Sequence, residues 1–166
     1  MNRLQRFFTH LFALPLQARR RFPQATLDRI QNAIASSEQR HRGEIRFVVE
    51  HGLDIGNVLH EVTARDRAAD YFSELRVWDT ADNTGILIYV LLAEHDIEIL
   101  ADRGINQKVT PDFWEQICNR LTQDFRQGQF EAGVLAAIAT MTDELVRHFP
   151  AAGHNPDELP DQPVVR

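Results

Sequence analysis

The amino-acid sequence predicts an α/β fold, namely a three-layer α/β/α sandwich whose small mixed sheet includes one antiparallel hairpin. Three observations predict it. Helical spacing of apolar residues over 24–42 is followed at once by an alternating strand pattern, residues 86–92 form an unbroken apolar run, and two further helical patterns complete the order. With 166 residues, 43% hydrophobic and 25% charged, the chain is expected to form one globular domain.

The first half of this domain is predicted to contain two helices around one strand. Apolar residues recur at three- and four-residue spacing over 24–42, and Gly43 stands where a helix C-cap prefers glycine. Residues 44–50 (EIRFVVE) alternate and include β-branched side chains, which is typical of a strand. After a loop that contains two glycines, residues 58–75 return to helical spacing.

The second half is predicted to contain the hairpin and two more helices. The turn-forming segment 77–85 leads into the apolar run 86–92, which suits a central strand covered on both faces. A short polar connection then reaches residues 96–101, whose alternation predicts an antiparallel partner. A Thr-Pro-Asp start predicts a helix over 110–126, and a last helix is expected over about 130–149.

The two ends of the chain differ in composition from the domain at 24–149. Residues 1–23 carry five arginines and no acid beside several apolar residues, which predicts a basic amphipathic helix. Docking of its apolar stripe on the domain is the favoured interpretation, and peripheral contact with an anionic membrane through residues 3–21 is the alternative. The apolar run is too short to span a bilayer. Residues 150–166 are rich in proline and acids, so we expect a tail without a packed element.

The charge distribution and the cysteine content exclude several classes of protein. The net charge is −6 although residues 1–23 are basic, so the remaining chain is strongly acidic and a nucleic-acid-binding domain is not expected. Cys118 is the single cysteine and excludes an intramolecular disulfide; it falls on the predicted buried face of a helix, where thiols are usually inert. No nucleophile motif or phosphate-binding glycine loop is present. We expect a cytoplasmic protein, peripheral to the inner membrane if the helix at 3–21 binds lipid.

Acidic and amide side chains cluster in two loops beside the predicted hairpin. Asp79, Asp82 and Asn83 precede its first strand, and Asp102 follows its second. Because these two loops meet at one sheet edge in an antiparallel pair, three carboxylates could converge there. Oxygen ligands of this kind suit Ca²⁺ or Mg²⁺. The favoured alternative is structural, because Asp and Asn before strands usually form Asx-turns and caps.

A second group of ligand-type side chains lies at the end of the first predicted helix. Glu38 and His41 fall in its last turns, and Glu44 follows Gly43. A histidine in the last turn of a helix more often complements the helix dipole than binds a metal. The sequence therefore favours a solvated helix end here.

The order of these motifs resembles the TPM domain family over residues 26–149. Residues 77–104 (VWDTADNTGILIYVLLAEHDIEILADRG) are similar to its polar loop and hairpin, residues 43–50 to its T-G-x-x-I-x-V-V strand, and residues 125–133 to its F-x-x-G-x-F-x-x-G segment. Carried over by position, Asp82 and Asn83 match the family's Asp-Asn-Gly, although Thr84 precedes Gly85 here.

What the resemblance implies is an α/β/α sandwich and a choice between two kinds of function. Plant members are associated with acid phosphatase activity, and some members bind calcium. Bacterial relatives are often membrane-attached and encoded near LemA-family proteins, which implies a partner such as a LemA-family or membrane-anchored TPM protein. The family's glycine-rich segment after the hairpin is replaced by DRGINQKVTPD, in which Gly104 and Asp112 are kept and Arg103 is a further candidate for ligand binding.

Two functional hypotheses follow from the sequence. The favoured one is a non-catalytic binding or scaffold domain that acts with a membrane-associated partner. The alternative is an acid phosphatase in which Ca²⁺ or Mg²⁺, held by Asp79, Asp82 and Asp102, supports hydrolysis of phosphate monoesters.

Overall fold

The computed structural model describes residues 2–13, 15–151 and 155–166, so Met1, Leu14 and residues 152–154 of the two predicted end segments lie outside the described residues. Within them the chain forms eight helices and four strands. In order these are α1 (Arg3–Leu11), α2 (Pro15–Arg21), α3 (Gln24–Glu38), β1 (Glu44–Glu50), α4 (Ile55–Leu59), α5 (Ala64–Glu74), β2 (Gly85–Leu91), β3 (Asp96–Ala101), α6 (Arg103–Asn106), α7 (Pro111–Arg126), α8 (Phe130–His148) and β4 (Val164–Val165).

The four strands form one mixed sheet in the order β3-β2-β1-β4. β1 pairs in parallel with β2, with Glu44 opposite Gly85 and Glu50 opposite Leu91. β2 and β3 form the antiparallel hairpin expected from the sequence, and β4 adds to the other edge of β1 in parallel. Helices cover both faces of this sheet, so the predicted α/β sandwich is confirmed.

The sheet has a hydrophobic cluster on each face, because successive side chains of a strand point to opposite sides. Ile45, Phe47 and Val49 of β1 pack with α3, α7 and α8 on one face. Val48 of β1 and alternate residues of β2 pack with α5 on the other face. Every residue of β1 and β2 is buried, which explains why their sequences read as strands despite the charged residues in β1.

Two predicted helices differ from the structure in their bounds. The helix predicted over 24–42 ends at Glu38, so residues 39–43 form a turn before β1. The helix predicted over 58–75 is divided into α4 and α5, because Thr63 caps a new helix by accepting a hydrogen bond from the backbone N–H of Asp66. The first of these differences matters most, because the turn at 39–43 brings Glu38 back toward the start of β1.

The C-terminal segment contains a packed element that the sequence did not predict. β4 pairs with β1, the backbone N–H of Arg166 donates to the carbonyl of Val49, and Leu159 is buried. A two-residue strand is too short to produce an alternating pattern, and the surrounding prolines and acids indicate a loop. Tertiary contacts, rather than local sequence, therefore fix this segment.

The predicted N-terminal helix is two helices, and α1 docks mainly through polar contacts. Arg6 Nε and His10 Nε2 each lie 2.6 Å from Glu94 Oε1, and Phe7 packs beside the second hydrophobic cluster. Most of the apolar stripe that was expected to dock faces solvent instead. Across the described part of the chain, no helix combines the length and the apolar composition needed to cross a bilayer.

Candidate functional site

Three carboxylates from distant parts of the chain meet at the end of the sheet where β1 begins. They are Glu38 at the end of α3, Glu44 at the start of β1 and Asp157 in the C-terminal segment. One oxygen from each lies within 4.8 Å of the others. Glu38 and Glu44 are buried, and Asp157 is exposed. This spacing suits a divalent cation that prefers oxygen ligands.

Hydrogen bonds hold the C-terminal segment across the turn that joins α3 to β1. The side-chain amide of Asn155 donates to the carbonyls of Glu38 and His41, at 2.8 Å in each case. The backbone N–H groups of Glu158 and Leu159 donate to the two oxygens of Glu44, at 3.3 and 3.2 Å. Asp157 is placed beside the two glutamates because the residues around it are fixed in this way.

Burial raises the pKa values of both glutamates. Burial, followed by a hydrogen bond with Asp161 and the nearby charge of Glu44, raises the pKa of Glu38 to about 10. Burial raises the pKa of Glu44 to about 7, although the two backbone donors partly oppose the shift. Without a cation, Glu38 is therefore protonated at neutral pH and Glu44 is about half protonated.

Arg46 and Asp161 leave polar atoms without partners beside this cluster. Arg46 Nε and Nη1 are buried and have no hydrogen-bond partner among the described residues, and the same is true of Asp161 Oδ1. Burial lowers the pKa of Arg46, while Glu38 and other surrounding carboxylates act in the opposite direction. A cavity of about 430 Å³, lined in part by Glu38, Glu44, Asp157 and Asp161, opens at this point. The unpaired oxygen of Asp161 in this acidic cavity is a suitable cation ligand, whereas the unpaired Arg46 nitrogens are donors and are not.

The residue set Glu38, His41 and Glu44 does not form the solvated helix end that the sequence favoured, and that interpretation is wrong. His41 is fully buried, and burial lowers its pKa to about 4. The C-terminal segment, which covers this end of α3, has no local sequence signal that would reveal such burial. Glu38 and Glu44 face the cavity, whereas His41 makes a separate set of hydrogen bonds.

His41 and Ser37 lie within hydrogen-bond distance, but their arrangement does not activate a nucleophile. The backbone N–H of Gly43 donates to His41 Nδ1 at 3.2 Å, so Nε2 carries the proton and donates to Ser37 Oγ at 2.7 Å. Ser37 Oγ lies 2.5 Å from Thr142 Oγ1, whose hydroxyl donates to a helix carbonyl. A general base would have to accept the serine proton, so this buried chain is structural.

Cys118 is also poorly suited to nucleophilic chemistry. Burial raises the pKa of its thiol to about 11, so the thiolate is scarce at neutral pH. Among the described residues, therefore, the serine–histidine pair and the single thiol both lack the activation that covalent catalysis needs.

The two loops of the sequence-predicted site do lie together. The backbone N–H of Gly104 donates to the carbonyl of Asn83 at 2.8 Å, and Arg103 Nε donates to Asn83 Oδ1 at 3.1 Å. A side chain at Gly104 would collide with the backbone of Asp82 and Asn83, which explains why glycine stands there. Asp102 caps α6 by accepting a hydrogen bond from the backbone N–H of Arg103 at 2.7 Å.

The predicted carboxylates of these loops have separate surroundings. Asp82 forms an ion pair with Arg42 at 2.8 Å, Asp79 is exposed, and Asp112 is exposed in the first turn of α7. Among the described residues, Asp79, Asp82 and Asp102 do not form a group of three within the ligand distances found for Glu38, Glu44 and Asp157. A ligand-binding role for the sequence-predicted residues stays a prediction.

Arg46, Asp157 and Asp161 lie at this cluster but were not among the residues expected from the sequence. A signal was present for Arg46, since Glu44 and Arg46 are two positions apart in a strand and share its face. The two aspartates gave no such signal, because acids in a proline-rich tail usually indicate a solvated segment.

Comparison with known proteins defines the class of this chain. The profile of the TPM domain matches residues 19–144. The chain therefore belongs to the TPM domain family, as its sequence motifs implied. α1 and the residues after 144 lie outside that match, and with them Asp157.

A solved structure gives the same fold over most of the chain. The NMR structure of BA42 protein from the psychrophilic bacterium Bizionia argentinensis superimposes with a TM-score of 0.75 at 31% sequence identity, covering 86% of this chain and 93% of that one. Among curated proteins, none matches.

Proposed function

We propose that this TPM domain is a non-catalytic binding domain that holds a divalent cation, Ca²⁺ or Mg²⁺, with Glu38, Glu44 and Asp157. The observation that carries the proposal is the approach of three carboxylates within 4.8 Å, two of them buried. Three ionised carboxylates at this spacing repel each other strongly, and the Arg46 guanidinium beside them offsets only part of that charge, which leaves a role for protons or a bound cation.

The raised pKa values support the exchange of protons for a cation. Glu44, with a pKa of about 7, and Glu38, with a pKa of about 10, both hold protons more tightly than an exposed glutamate does. A cation bound there would displace those protons and would tie Asp157 to the turn between α3 and β1. The C-terminal segment would then be held by a cation in addition to its hydrogen bonds.

A metal-assisted acid phosphatase is the alternative function. A cation bound at this cluster would polarise a phosphoryl oxygen, which is the chemistry that hydrolysis of a phosphate monoester needs. The binding function is favoured because the candidate nucleophiles Ser37 and Cys118 are not activated by a neighbouring base, and His41 is buried and donates to Ser37. Hydrolysis would therefore depend on water alone as the nucleophile.

The test is calorimetric titration of Ca²⁺ and of Mg²⁺ into chelator-treated protein at pH 6 and pH 8, with p-nitrophenyl phosphate turnover followed on the same samples. We expect one saturable site that binds more tightly at pH 8, with protons released on binding, because Glu38 and Glu44 must both ionise. Asp157→Asn and Glu44→Gln are each expected to weaken binding at least tenfold. Asp82→Asn, in the sequence-predicted loop, is the matched control and should leave binding unchanged.

Each contrary outcome points to a different correction. Loss of binding in Asp82→Asn alone would move the cation to the loops beside the hairpin. Turnover that rises with cation occupancy and falls in Asp157→Asn would establish the phosphatase. Absence of binding heat for both cations at pH 8 would refute the cation site itself.

We also propose that α1 contacts an anionic membrane surface, where this domain would meet a membrane-associated partner. Leu4, Phe8 and Leu11 are exposed on this helix, and Phe12, which caps its C-terminal end, is exposed beside them. The rings of Phe8 and Phe12 stack with their centroids 6.2 Å apart. Arg19 and Arg20 are exposed in the last turn of α2 nearby in the chain, and residues 1–23 contain no acid. An apolar helix face accompanied by arginines is complementary to an anionic membrane surface.

Co-sedimentation with vesicles tests this surface. The protein is expected to sediment with vesicles that contain anionic lipid and not with purely zwitterionic vesicles, because both the charge and the apolar face contribute. The double variant Phe8→Ser/Phe12→Ser should lose most of the sedimenting fraction, whereas Trp78→Ser, at an exposed aromatic residue elsewhere, should not. Equal sedimentation of the wild type and the double variant would exclude lipid contact through α1.

A further inference from the structure

A cavity of about 300 Å³ lies at the end of the sheet away from the carboxylate cluster. Glu44 begins β1, whereas this cavity is lined by residues at the carboxyl end of β2 and by the hairpin that follows. Its apolar wall comes from β2 and β3 and from the helices α7 and α8, and consists of Val90, Leu92, Ile97, Phe125 and Phe130. In open α/β sheets, ligands commonly bind outside the carboxyl ends of the strands.

The charged groups that line the cavity are all basic or potentially basic. They are Arg21 at the end of α2, His95 in the hairpin turn and Arg126 at the end of α7, and no carboxylate lines the cavity among the described residues.

Arg21 and Arg126 form no ion pair with a carboxylate among the described residues. Among the described residues, neither guanidinium lies within 4.0 Å of a carboxylate oxygen, whereas Arg6, Arg29 and Arg67 each do. The guanidinium of Arg21 instead lies over the ring of Phe130, 5.3 Å from its centroid. That contact places a positive charge beside an apolar wall of the cavity.

From these observations we propose that the cavity binds an amphiphilic anion, a molecule with a carboxylate head on an apolar chain or ring. The apolar part would contact the wall formed by β2, β3 and the two helices. The head group would accept charge-assisted hydrogen bonds from Arg21 and Arg126, which have no competing carboxylate in the cavity. The volume lies at the lower end of the range for ligand cavities, so the ligand is a small one.

The negative head group of the ligand, and not only its apolar part, determines its affinity for the cavity. A neutral molecule with the same chain would still fill the apolar space but would leave both guanidinium groups without a partner. Because one charge-assisted hydrogen bond is worth about a factor of ten in binding, loss of either arginine contact is expected to weaken the anion about tenfold.

The experiment compares decanoate with decanol, which has the same chain length and no charge, by calorimetric titration below the concentration at which decanoate forms micelles. Saturable binding of one decanoate per chain, at least tenfold tighter than decanol, is expected. Arg21→Gln and Arg126→Gln should each reduce decanoate affinity about tenfold while leaving the binding of decanol unchanged. Arg20→Gln is the matched control, because Arg20 is exposed, adjacent to Arg21 in sequence and not part of the cavity.

A second control separates the cavity from the exposed face of α1, where an amphiphile could also adsorb. Phe12→Ser should retain full decanoate affinity, since Phe12 is exposed and does not line the cavity. Equal affinity for decanoate and decanol, unchanged decanoate affinity in both arginine variants, loss of binding in Phe12→Ser, or no saturation below the micelle concentration would each overturn the proposal.

Discussion

The substitution Glu44→Gln is expected to change how the stability of the cation-free protein depends on pH. Burial raises the pKa of Glu44 from an ordinary 4.5 to about 7. A carboxyl group whose pKa is higher in the folded than in the unfolded state stabilises the fold when it is protonated. That contribution is complete below pH 4.5 and is lost as the pH rises through 7. Glutamine does not titrate, so the variant lacks this contribution.

The magnitude follows from the two pKa values. At pH 5 the unfolded chain has already released about three quarters of the Glu44 proton, whereas the folded chain keeps nearly all of it and still keeps about half at pH 7. The linkage relation then gives a loss of about 2 kcal/mol in the free energy of unfolding of the wild type over this interval, relative to the variant. The wild type is therefore expected to exceed the variant in stability by about 2 kcal/mol more at pH 5 than at pH 7.

Other titrating groups near Glu44 are the reason for using a variant rather than the wild type alone. The pKa of Glu38 is raised to about 10, so its contribution has the same sign as that of Glu44. The pKa of His41 is lowered to about 4, so its contribution has the opposite sign and is lost as the pH falls below 6.5. Both groups remain in Glu44→Gln, so most of their effect cancels in the difference.

The assay is urea unfolding of both proteins at pH 5 and pH 7 in the presence of a chelator, followed by circular dichroism. Equal slopes of free energy against urea concentration for the two proteins would validate the comparison. A stability difference that is the same at both pH values would refute the reasoning, because Glu44 would then ionise like an exposed glutamate. A difference that grows toward pH 7 would mean that Glu44 is stabilised as a carboxylate.

Two further substitutions test how the loops and the C-terminal segment are held. Gly104→Ala should lower the free energy of unfolding in urea titrations by about 3 kcal/mol, because the added Cβ would overlap the backbone carbonyl of Asp82. Gly56→Ala is the control and should cost less than about 1 kcal/mol, because its Cβ meets only a side-chain oxygen. Equal costs for the two variants would contradict this packing. Leu159→Ala should lower the free energy of unfolding by about 2 kcal/mol and speed proteolysis of the C-terminal segment, because Leu159 is buried. Leu59→Ala, at an exposed leucine, is the control and should change neither quantity. If Leu159→Ala were cleaved no faster than the wild type, Leu159 would not anchor the segment.

The central part of the fold could be predicted because buried elements have characteristic patterns of apolar residues in the sequence. β2 is buried on both faces and is apolar at every position, and α7 begins with the proline that favours a first helical turn. α6 and β4 have four and two residues, which is too short for either helical or strand periodicity to show. Such short elements exist because their neighbours hold them.

The candidate cation site was predicted less well than the fold, because contacts between residues far apart in the sequence assemble it. Glu38 and Glu44 were recognised as ligand-type residues, but their burial depends on a segment more than a hundred positions later in the chain; Glu44 and Glu158 are separated by 114 positions. The loops beside the hairpin were correctly expected to meet, because an antiparallel pair fixes their proximity locally. Contacts made through long loops leave no local pattern to read.

The crossing of the C-terminal segment over the turn between α3 and β1 has a consequence for the order of folding. During synthesis α3, β1 and β2 leave the ribosome long before the residues of β4, which complete the sheet. Until residues 155–166 have emerged, the outer edge of β1 lacks β4, and Glu38 and Glu44 lack Asp157. Closing so long a loop is slow and entropically costly. Edge protection and assembly of the carboxylate cluster should therefore be late, coupled events, and until then the outer edge of β1 is open to pairing with another strand.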